Sequence, residues 1–395
     1  MHKRKYFFQN KVSLIRGGKE YFNQVVNLIN KATQSIHLQT YIYESDETGI
    51  LVADALIAAA KRNIEVYLLI DGYASKNLPE VFKKELEEGG VHFRFFEPLF
   101  KSKYFYFGRR LHHKILVIDN RVALIGGINI SNRYNDLLNK PAWLDFTLLV
   151  EGEIATEICI LCWKTWKGFP LNMDLTICEK NKTPLNFNNN EIATISMRRN
   201  DWVRRKNEIS ETYIQMLLHA KSHITILCSY FLPGKVIRKL FSDASKRGVS
   251  INIITAGKSD VMVAKHAERW LYDYLLRNNI KIYEYQPTIL HAKMAICDSE
   301  WLTLGSYNIN DISAYASIEL NLDVFNTSFT LETEKKINYI IQEECVEVTK
   351  ESHINKKNLL VQFTRWLSYQ SIRLIFNLVT FYYKRISYKK KAVTD

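Results

Sequence analysis

Two stretches of the chain repeat the same spacing of histidine, lysine and aspartate, His-x-Lys-x4-Asp. The repeated residues are His112, Lys114 and Asp119 in HHKILVIDNRVALIGGIN, and His291, Lys293 and Asp298 in HAKMAICDSEWLTLGSYN. In both copies six residues separate the aspartate from a Gly-[Gly/Ser]-x-Asn sequence. One copy would be a weak signal, but two copies with the same downstream sequence are not expected by chance. We interpret this paired motif as the two halves of one active site.

The spacing of the paired motif suits the binding of a phosphate group. The stretches KILVID and KMAICD are predicted strands, and side chains two apart on a strand point to one face, so each histidine projects with its lysine. The glycines that follow, Gly126 and Gly305, allow a close backbone approach to a bound group. Amide and hydroxyl donors come from Asn129, Asn308 and Ser306. If the halves meet face to face, these side chains form a cationic, donor-rich phosphate site.

Two histidines can divide a phosphodiester exchange between them. One attacks phosphorus and forms a covalent phosphohistidine, and the other protonates the leaving oxygen and then deprotonates the incoming alcohol. The lysines balance the phosphate charge, so no metal ion and no cofactor is expected. A nucleophilic imidazole also needs its second nitrogen oriented by a carboxylate. The candidates for this role are Asp145 in WLDF and Glu319 in SIELNLDV.

Asp119 and Asp298 belong to the catalytic signature, but their position favours a supporting role. Each lies five residues after the lysine, which is roughly 16 Å along a strand and too far for contact with the same phosphate. The first copy also has Gly127 where the second has Ser306, so one hydroxyl donor is missing from that half. We do not expect this difference to inactivate it.

A repeated series of helices and strands must position the paired motif. The predicted series is helix 20–30, strand 35–43, helix 49–62 and strand 64–72, and it returns as helix 208–220, strand 223–231, helix 234–248 and strand 249–257. Strands that alternate with helices indicate an α/β fold. We therefore predict two similar halves, each a mixed sheet flanked by helices, with the active site at their interface.

The predicted domains are a first half at 1–170, a linker at 171–200, a second half at 201–350 and a basic tail at 351–395. The linker includes EKNKTPLNFNNNE, which has no apolar period. From Ser352 to its end, the tail carries +8 of the net charge of +13. Its longest uncharged run, LIFNLVTFYY, is far shorter than the roughly 20 residues that span a membrane. A basic amphipathic helix of this kind suits a membrane interface; the alternative is a helix docked on the protein core.

Several other features narrow the class of protein. The first residues, MHKRKYFFQNKVSLIRGG, have no long apolar run, so we expect neither a signal peptide nor a spanning helix there. Cys159 and Cys162 are predicted to be buried thiols one helical turn apart, since no second pair completes a zinc site, and the cysteine usage fits a reducing compartment. The loop at 100–110, FKSKYFYFGRR, mixes cations and aromatics. Such a loop suits single-stranded nucleic acid or lipid headgroups, or is simply solvated.

The paired motif resembles the signature of the phospholipase D superfamily. The likeness covers about residues 10–330, and the order of QTYIYESDETG, DGYAS, the segment Trp143–Asp145, SYFLPG and IYEYQPTILHAK is most similar to bacterial cardiolipin synthases of the B type, which lack the N-terminal membrane spans of the longer form. The resemblance implies that a phosphatidyl group is held on one histidine and passed to an alcohol. It also implies that His112 is the nucleophile and His291 the general acid; the spacing itself is symmetric on this point.

We therefore predict a cardiolipin synthase that transfers a phosphatidyl group between two phosphatidylglycerol molecules and releases glycerol. It would lie peripherally on the cytoplasmic side of the cell membrane, with phosphatidylglycerol and the membrane surface as partners and nucleic acid not expected. One alternative is a hydrolase or nuclease of the same superfamily, which would use the same residues with water as the acceptor. A second is a non-catalytic nucleic-acid-binding protein, in which His112→Ala and His291→Ala would leave the biological activity intact.

Overall fold

The structure is a computed structural model that describes residues 4–97, 109–170, 178, 191–310, 313–314, 317–355 and 358–391. For residues 354, 355 and 378–391 it describes the backbone alone. Residues 100–108 of the predicted loop at 100–110 and most of the predicted linker at 171–200 therefore lie outside the described residues, whereas Arg109 and Arg110 are described.

Helices and strands alternate along most of the described chain. The strands are β1 (Phe7–Arg16), β2 (Ser35–Thr40), β3 (Glu65–Asp71), β4 (His92–Phe96), β5 (Arg110–Leu111), β6 (Lys114–Ile118), β7 (Val122–Gly126), β8 (Phe146–Gly152), β9 (Ile192–Asp201), β10 (Lys206–Asn207), β11 (His223–Cys228), β12 (Ser250–Lys258), β13 (Lys281–Ile289), β14 (Lys293–Cys297), β15 (Trp301–Gly305), β16 (Ser317–Phe325) and β17 (Cys345–Glu347). The helices are α1 (Lys19–Lys31), α2 (Glu47–Lys61), α3 (Glu80–Glu88), α4 (Glu153–Trp166), α5 (Glu208–His219), α6 (Lys235–Lys246), α7 (Met262–Arg277), α8 (Thr327–Glu344), α9 (Lys350–Asn355) and α10 (Leu359–Lys391). The predicted α/β class is confirmed.

The chain divides into two compact units. Unit 1 consists of Met1–Arg198, Glu300–Ser306 and Glu319–Thr333, and unit 2 consists of Arg199–Ser299, Tyr307–Ile318 and Glu334–Asp395. Unit 1 therefore contains β15 and most of β16, which follow the second motif copy in the sequence. Because these later strands belong to unit 1, residues that are far apart in the chain lie in one compact unit.

The sheet of unit 1 has the strand order β4-β3-β2-β6-β7-β8-β1-β9. The pairs among β2, β3 and β4 are parallel and the others are antiparallel, and β15 pairs with β16 in an antiparallel manner. Apolar side chains of α1 and α2, such as Phe22, Ile29 and Leu56, are buried against strand residues such as Leu68. Asp46 caps α2 by accepting a hydrogen bond from the backbone of Gly49 at 3.0 Å.

The sheet of unit 2 has the strand order β14-β11-β12-β13-β17, with β11, β12 and β13 parallel. The order β14-β11-β12-β13 repeats the order β6-β2-β3-β4 of unit 1, which confirms the predicted internal repeat. Every residue of β6 and of β14 is buried. Strands buried on both faces are apolar throughout, which explains why these two stretches do not alternate in hydropathy.

The turns after β6 and β14 explain why the paired motif has an aspartate at the end of each motif strand. Asp119 and Asn120 have φ of 50° and 61°, and Asp298 and Ser299 have φ of 53° and 55°. Two successive residues with positive φ are typical of a type I′ turn, and aspartate and asparagine tolerate this conformation better than most residues. The signature aspartates are therefore turn residues.

The tail forms α10, whose packing uses one face. Tyr369, Ile372 and Phe376 pack with Leu232 and Leu271 of unit 2. The apolar side chains that remain exposed on this helix are Leu359, Leu360, Phe363, Trp366, Leu367, Leu374 and Ile375. Within the described part of the chain, no helix has the length and hydropathy needed to cross a membrane.

Candidate active site

His112 lies between β5 and β6 and is held by a carboxylate. Its Nδ1 is 2.9 Å from Oε2 of Glu319 in β16; the glutamate side chain is fully buried, whereas 18% of the histidine side chain is exposed. A carboxylate can only accept at this contact, so we assign the ring proton to Nδ1 and the lone pair to Nε2. Such a ring presents Nε2 as a nucleophile or a base.

The contact between Glu319 and His112 joins residues that are 207 positions apart. Glu319 follows the second motif copy in the sequence, but it contacts the histidine of the first copy. Both residues belong to unit 1. Sequence position gave two candidate carboxylates and did not indicate which histidine Glu319 would orient.

Ser306 and Gly127 occupy the same position in the two motif copies. Each lies against one of the two candidate carboxylates, Glu319 or Asp145. Ser306 Oγ donates to Glu319 Oε2 and accepts from the backbone of Leu320 at 3.1 Å. Ser306, predicted to contact the phosphate, is thus placed where its hydroxyl steadies the carboxylate behind His112. In the first copy, a Cβ at Gly127 would lie 2.4 Å from Oδ2 of Asp145. The missing hydroxyl of the first copy is therefore matched by a carboxylate that occupies its space.

Lys114 is the first residue of β6, and it reaches back toward His112. Its Nζ donates to the main-chain oxygen of His112 and lies 5.3 Å from the ring centroid of Tyr41. The Tyr41 ring is itself 4.7 Å from the ring of His112. Burial and the nearby Asp71 raise the pKa of Tyr41, so its phenol stays protonated. Tyr41 was not predicted as a site residue, although it lies in the quoted stretch QTYIY.

Asp71 anchors the backbone that leads to His112. Its Oδ2 accepts from the backbone of Leu111 at 2.8 Å, and its Oδ1 accepts from the backbones of Tyr73 and Ala74. Burial raises the pKa of this carboxyl, opposed by Arg110 and by these backbone hydrogen bonds. Asp71 was not predicted as a site residue; an aspartate that ends an apolar strand before a glycine was the available signal.

The histidine and lysine of the second copy lie together at the start of β14 in unit 2. Only 7% of His291 and 1% of Lys293 is exposed. Lys293 Nζ is 3.0 Å from Nδ1 of His291 and also donates to the main-chain oxygen of that residue. The lysine of each copy thus contacts the main chain of its own histidine, as side chains two apart on an extended strand allow.

The two asparagines of the paired motif differ in their contacts. Asn129 is buried, with Oδ1 accepting from the backbone of Ile42 at 3.1 Å and Nδ2 donating to the hydroxyl of Tyr134 at 2.8 Å. Asn308 accepts from Ser229 Oγ at 2.7 Å through Oδ1, and its Nδ2 donates to none of the described residues. An amide donor for a phosphate is therefore more readily available from Asn308 than from Asn129.

Asp119 and Asp298 hold the same kind of backbone contact in the two units. Asp119 accepts hydrogen bonds from the backbones of Thr33, Gln34 and Ser35 at 2.7–3.0 Å, and Asp298 accepts them from the corresponding loop, Lys221, Ser222 and His223, at 2.8–3.0 Å. Burial alone would raise the pKa of Asp298, but these hydrogen bonds outweigh burial and lower it to about 2. Both carboxylates therefore fasten the strand that pairs with the motif strand.

The glycines that end β7 and β15 lie against neighbouring strands. A Cβ at Gly126 would be 2.4 Å from Oγ1 of Thr147, and a Cβ at Gly305 would be 2.1 Å from the main-chain oxygen of Leu320. The sequence predicted a close approach to a bound group at these positions. In the structure the close neighbour is the adjoining strand, β8 or β16.

Comparison with known proteins assigns the chain to a family. The sequence model described as "Cardiolipin synthase, PLD-like domain" matches residues 25–140 and 213–341, which include both motif copies. The chain belongs to this family. Cardiolipin synthase B of Salmonella typhimurium is 32% identical over 354 residues, covering 86% of this chain and 82% of the relative, and the protein of the same name from Escherichia coli K12 is 32% identical with the same coverage. Cardiolipin synthase 1 of Bacillus anthracis is 27% identical, covering 90% of this chain and 71% of the relative.

A solved structure shares the fold of this member of the cardiolipin synthase family. Phosphatidylserine synthase of Haemophilus influenzae Rd KW20 superposes with a TM-score of 0.75 at 15% identity, covering 95% of this chain and 96% of the other. The predicted phospholipase D superfamily and its cardiolipin synthase branch are confirmed, and so is the prediction of a phosphatidyltransferase at the level of the family. The roles of individual residues stay predictions.

Proposed function

We propose that this chain is a cardiolipin synthase that joins two phosphatidylglycerol molecules and releases glycerol through a phosphohistidine on His112. The contact of 2.9 Å between His112 Nδ1 and Glu319 Oε2 is the observation that carries the assignment of the nucleophile. It provides the oriented ring that a nucleophilic imidazole needs, at the histidine that the resemblance implied as the nucleophile. The names of the relatives support the choice of reaction.

In the first step, Nε2 of His112 attacks the phosphorus of one phosphatidylglycerol. A P–N bond forms and the P–O bond to the glycerol headgroup breaks, while His291 gives a proton to the leaving oxygen. Glu319 stabilises the positive charge that develops on the imidazole. Lys114 and Lys293 lie beside the two histidines and offset the charge of the phosphate.

In the second step, the headgroup hydroxyl of another phosphatidylglycerol attacks the phosphohistidine. His291 now accepts the hydroxyl proton, the P–N bond breaks and a new P–O bond forms, which gives cardiolipin and regenerates His112. The number of phosphodiester bonds is unchanged, so the reaction needs no external energy source. Water in place of the alcohol would give phosphatidic acid instead.

We also propose that the protein meets its substrate on the cytoplasmic side of the cell membrane as a peripheral protein. The exposed apolar side chains of α10, among them Phe363, Trp366 and Leu367, support this location. The basic composition of the tail supports an anionic surface such as one that contains phosphatidylglycerol.

An assay with defined vesicles tests the reaction. Purified protein is incubated with phosphatidylglycerol vesicles and a chelator, and lipids and free glycerol are measured. Cardiolipin and glycerol in equal amounts are expected. Phosphatidic acid as the main product would identify a hydrolase, and cleavage of DNA with untouched lipid would contradict the lipid substrate.

A trapping experiment tests the nucleophile. Phosphatidylglycerol labelled at phosphorus is mixed with the protein, the reaction is quenched in base, and labelled peptides are identified. An acid-labile label on the peptide that contains His112 is expected, and it should be absent from His112→Asn. A label on the peptide that contains His291 would reverse the two roles.

A further inference from the structure

The helix α10 lies against α7 in unit 2, and polar side chains line one end of the contact. The residues of α10 that pack against α7 are Tyr369, Ile372 and Phe376. Arg365 and Gln362 precede them at helical spacing. Toward the start of α10, the buried Arg365 lies close enough to His266 of α7 to act on it, and Gln362 follows on the same face one turn earlier. We call this end, with His266 of α7, the α7–α10 seam.

Arg365 is buried in the seam and makes no ion pair with a described residue. Only 5% of the residue is exposed, and its Nε and Nη1 are buried atoms with no hydrogen-bond partner. No hydrogen bond or ion pair joins Arg365 to any of the described residues. A buried guanidinium in this state costs several kcal/mol unless a partner compensates it. Among the described residues, this guanidinium is therefore a strong donor without an acceptor.

Two further polar atoms in the seam are in the same state. Nε2 of Gln362 and Nδ1 of His266 are buried and have no hydrogen-bond partner in the described part of the chain, although both residues are partly exposed elsewhere. Gln362 precedes Arg365 by three positions on α10, so their side chains project from the same face. The unpartnered nitrogens of the seam thus come from both helices.

Burial, followed by Arg269, lowers the pKa of Arg365, whereas Glu284 and Asp273 raise it. Each of these carboxylates contacts a side chain other than Arg365. Glu284 lies 2.9 Å from Lys265 Nζ and accepts two hydrogen bonds from Arg269, and Glu268 lies 2.7 Å from Lys265 Nζ. Asp273 is 3.5 Å from Nε2 of His353. Burial, followed by Arg269 and Arg365, lowers the pKa of His266. Glu284 and Asp273 thus act on Arg365 only from a distance, and none of the described residues gives its guanidinium a hydrogen-bond acceptor.

We propose that the α7–α10 seam is a second anion site that binds a phosphate group through Arg365, Gln362 and His266, separate from the paired motif. Arginine and amide donors on adjacent helical turns suit the oxygens of a phosphate. The phosphate comes from a phospholipid headgroup or from free phosphate. Exposed Phe363 and Trp366 on the same helix, whose rings stack at 5.9 Å, would lie beside the acyl chains of a bound phospholipid.

Arg365→Met tests the site, with Arg373→Gln as the matched control. Arg373→Gln removes the same charge from the same helix, but the Arg373 side chain is exposed and donates a hydrogen bond to Gln370. In equilibrium dialysis with labelled inorganic phosphate at constant ionic strength, the wild type and Arg373→Gln should bind one more phosphate per chain than Arg365→Met. Gln362→Leu should weaken the same binding by about 5- to 10-fold, the loss of one hydrogen bond to a charged group.

A vesicle experiment separates the two sources of phosphate. In phosphate-free buffer, Arg365→Met should bind phosphatidylglycerol vesicles at least tenfold more weakly than Arg373→Gln, and both should bind phosphatidylcholine vesicles alike. Equal binding of both variants to both kinds of vesicle, with the dialysis difference retained, would assign the site to free phosphate. Identical behaviour of the two variants in both experiments would overturn the proposal.

The melting temperature and the activity of each variant show whether weaker binding comes from a loss of folding. Because Arg365→Met removes an unpaired buried charge, its melting temperature without phosphate should equal or exceed that of the wild type. A lower value would mean that the guanidinium stabilises the seam itself, which would count against a ligand site. Both variants should keep the cardiolipin-forming activity on short-chain phosphatidylglycerol in detergent. If the wild type itself were inactive, the proposed function would be contradicted. The dialysis experiment would still show whether the seam binds phosphate.

Discussion

The two copies of the paired motif are alike at their aspartates and different at their histidines. Asp119 and Asp298 each accept hydrogen bonds from three successive backbone amides of the loop before the neighbouring strand. At the histidines, Glu319 holds Nδ1 of His112 at 2.9 Å, whereas Nδ1 of His291 lies 3.0 Å from the ammonium of Lys293. The repeat therefore preserves the support of the site in both halves, while the surroundings of the reactive groups have diverged.

The sequence repeat determines where the backbone lies better than it determines which contacts the side chains make. Ser306 and Gly127 occupy the same position of the two copies, yet one supplies a hydroxyl to a carboxylate and the other makes room for a carboxylate. The same is true of Asn308 and Asn129. Substitutions at matched positions should consequently have unequal effects, and they provide the tests that follow.

Loss of either histidine should have the largest effect on activity. His112→Asn and His291→Asn are each expected to lower kcat by at least about 10⁴-fold, because nucleophile and acid act as one unit in which neither replaces the other. Cardiolipin formation from phosphatidylglycerol vesicles is the measurement. The double variant should be hardly worse than either single one, and a double variant that is slower by the product of the two losses would indicate independent roles.

Glu319→Gln should have the next largest effect, since an amide in place of the carboxylate no longer fixes the tautomer of His112. A fall in kcat of about 10²–10⁴-fold is expected, with little change in KM. Ser306→Ala should cost about 10-fold, roughly one hydrogen bond to a charged group. Since Ser306 acts through Glu319, adding Ser306→Ala to Glu319→Gln should cost little more. If the losses in kcat of the two single variants multiplied in the double variant, Ser306 would not act through Glu319.

Exchanging the residues at the matched Gly/Ser position should not be symmetric. A side chain at Gly127 would collide with Asp145, with Cβ 2.4 Å from Oδ2, so Gly127→Ser should displace that carboxylate and lower kcat by about 10- to 100-fold. Ser306→Gly leaves backbone geometry intact and should lower kcat by about 10-fold, the loss of one hydrogen bond to a charged group. Gly127→Ala, which adds Cβ without a hydroxyl, is the control. Activity of Gly127→Ala equal to that of the wild type would show that Asp145 can move aside.

The two asparagines should separate stability from catalysis. Asn129→Ala removes the hydrogen bonds of Asn129 to the backbone of Ile42 and to the hydroxyl of Tyr134, which should lower the free energy of unfolding by about 1–3 kcal/mol. Asn308→Ala should be milder in stability but should raise KM or lower kcat, because Nδ2 of Asn308 is the amide left available. Urea unfolding and steady-state kinetics measure the two effects. Equal loss of stability in both variants would contradict the assigned difference.

The sequence was sufficient for the architecture and for most residues around the site, but not for their pairing. Buried apolar strands such as β6 and β14 and amphipathic helices such as α1 follow from local hydropathy, which is why the repeated series was predictable. Glu319 was found as a candidate because a catalytic imidazole needs a carboxylate, yet its partner depends on the placement of β16 in unit 1. Asp71 and Tyr41 were missed because their roles arise only when Leu111 and His112 are brought beside them. Contacts between distant segments are set by tertiary packing, which no local pattern reports.

The smallest effects are expected at the signature aspartates, where the two copies agree. The pKa of Asp298 is lowered to about 2 from an ordinary value of 3.8, so this carboxylate contributes stability above about pH 4 that is lost as the pH falls toward 2. Asp298→Asn should therefore lower the melting temperature at pH 7 but change it little near pH 2, and the kcat of the folded protein should fall less than in Glu319→Gln. Asp119→Asn should behave alike at neutral pH, since it loses the same set of backbone hydrogen bonds. Thermal unfolding followed by circular dichroism between pH 2 and pH 7 measures both. If Asp298→Asn instead abolished turnover while its melting temperature stayed that of the wild type, the aspartate would belong with the histidines in the chemistry rather than with the backbone that supports them.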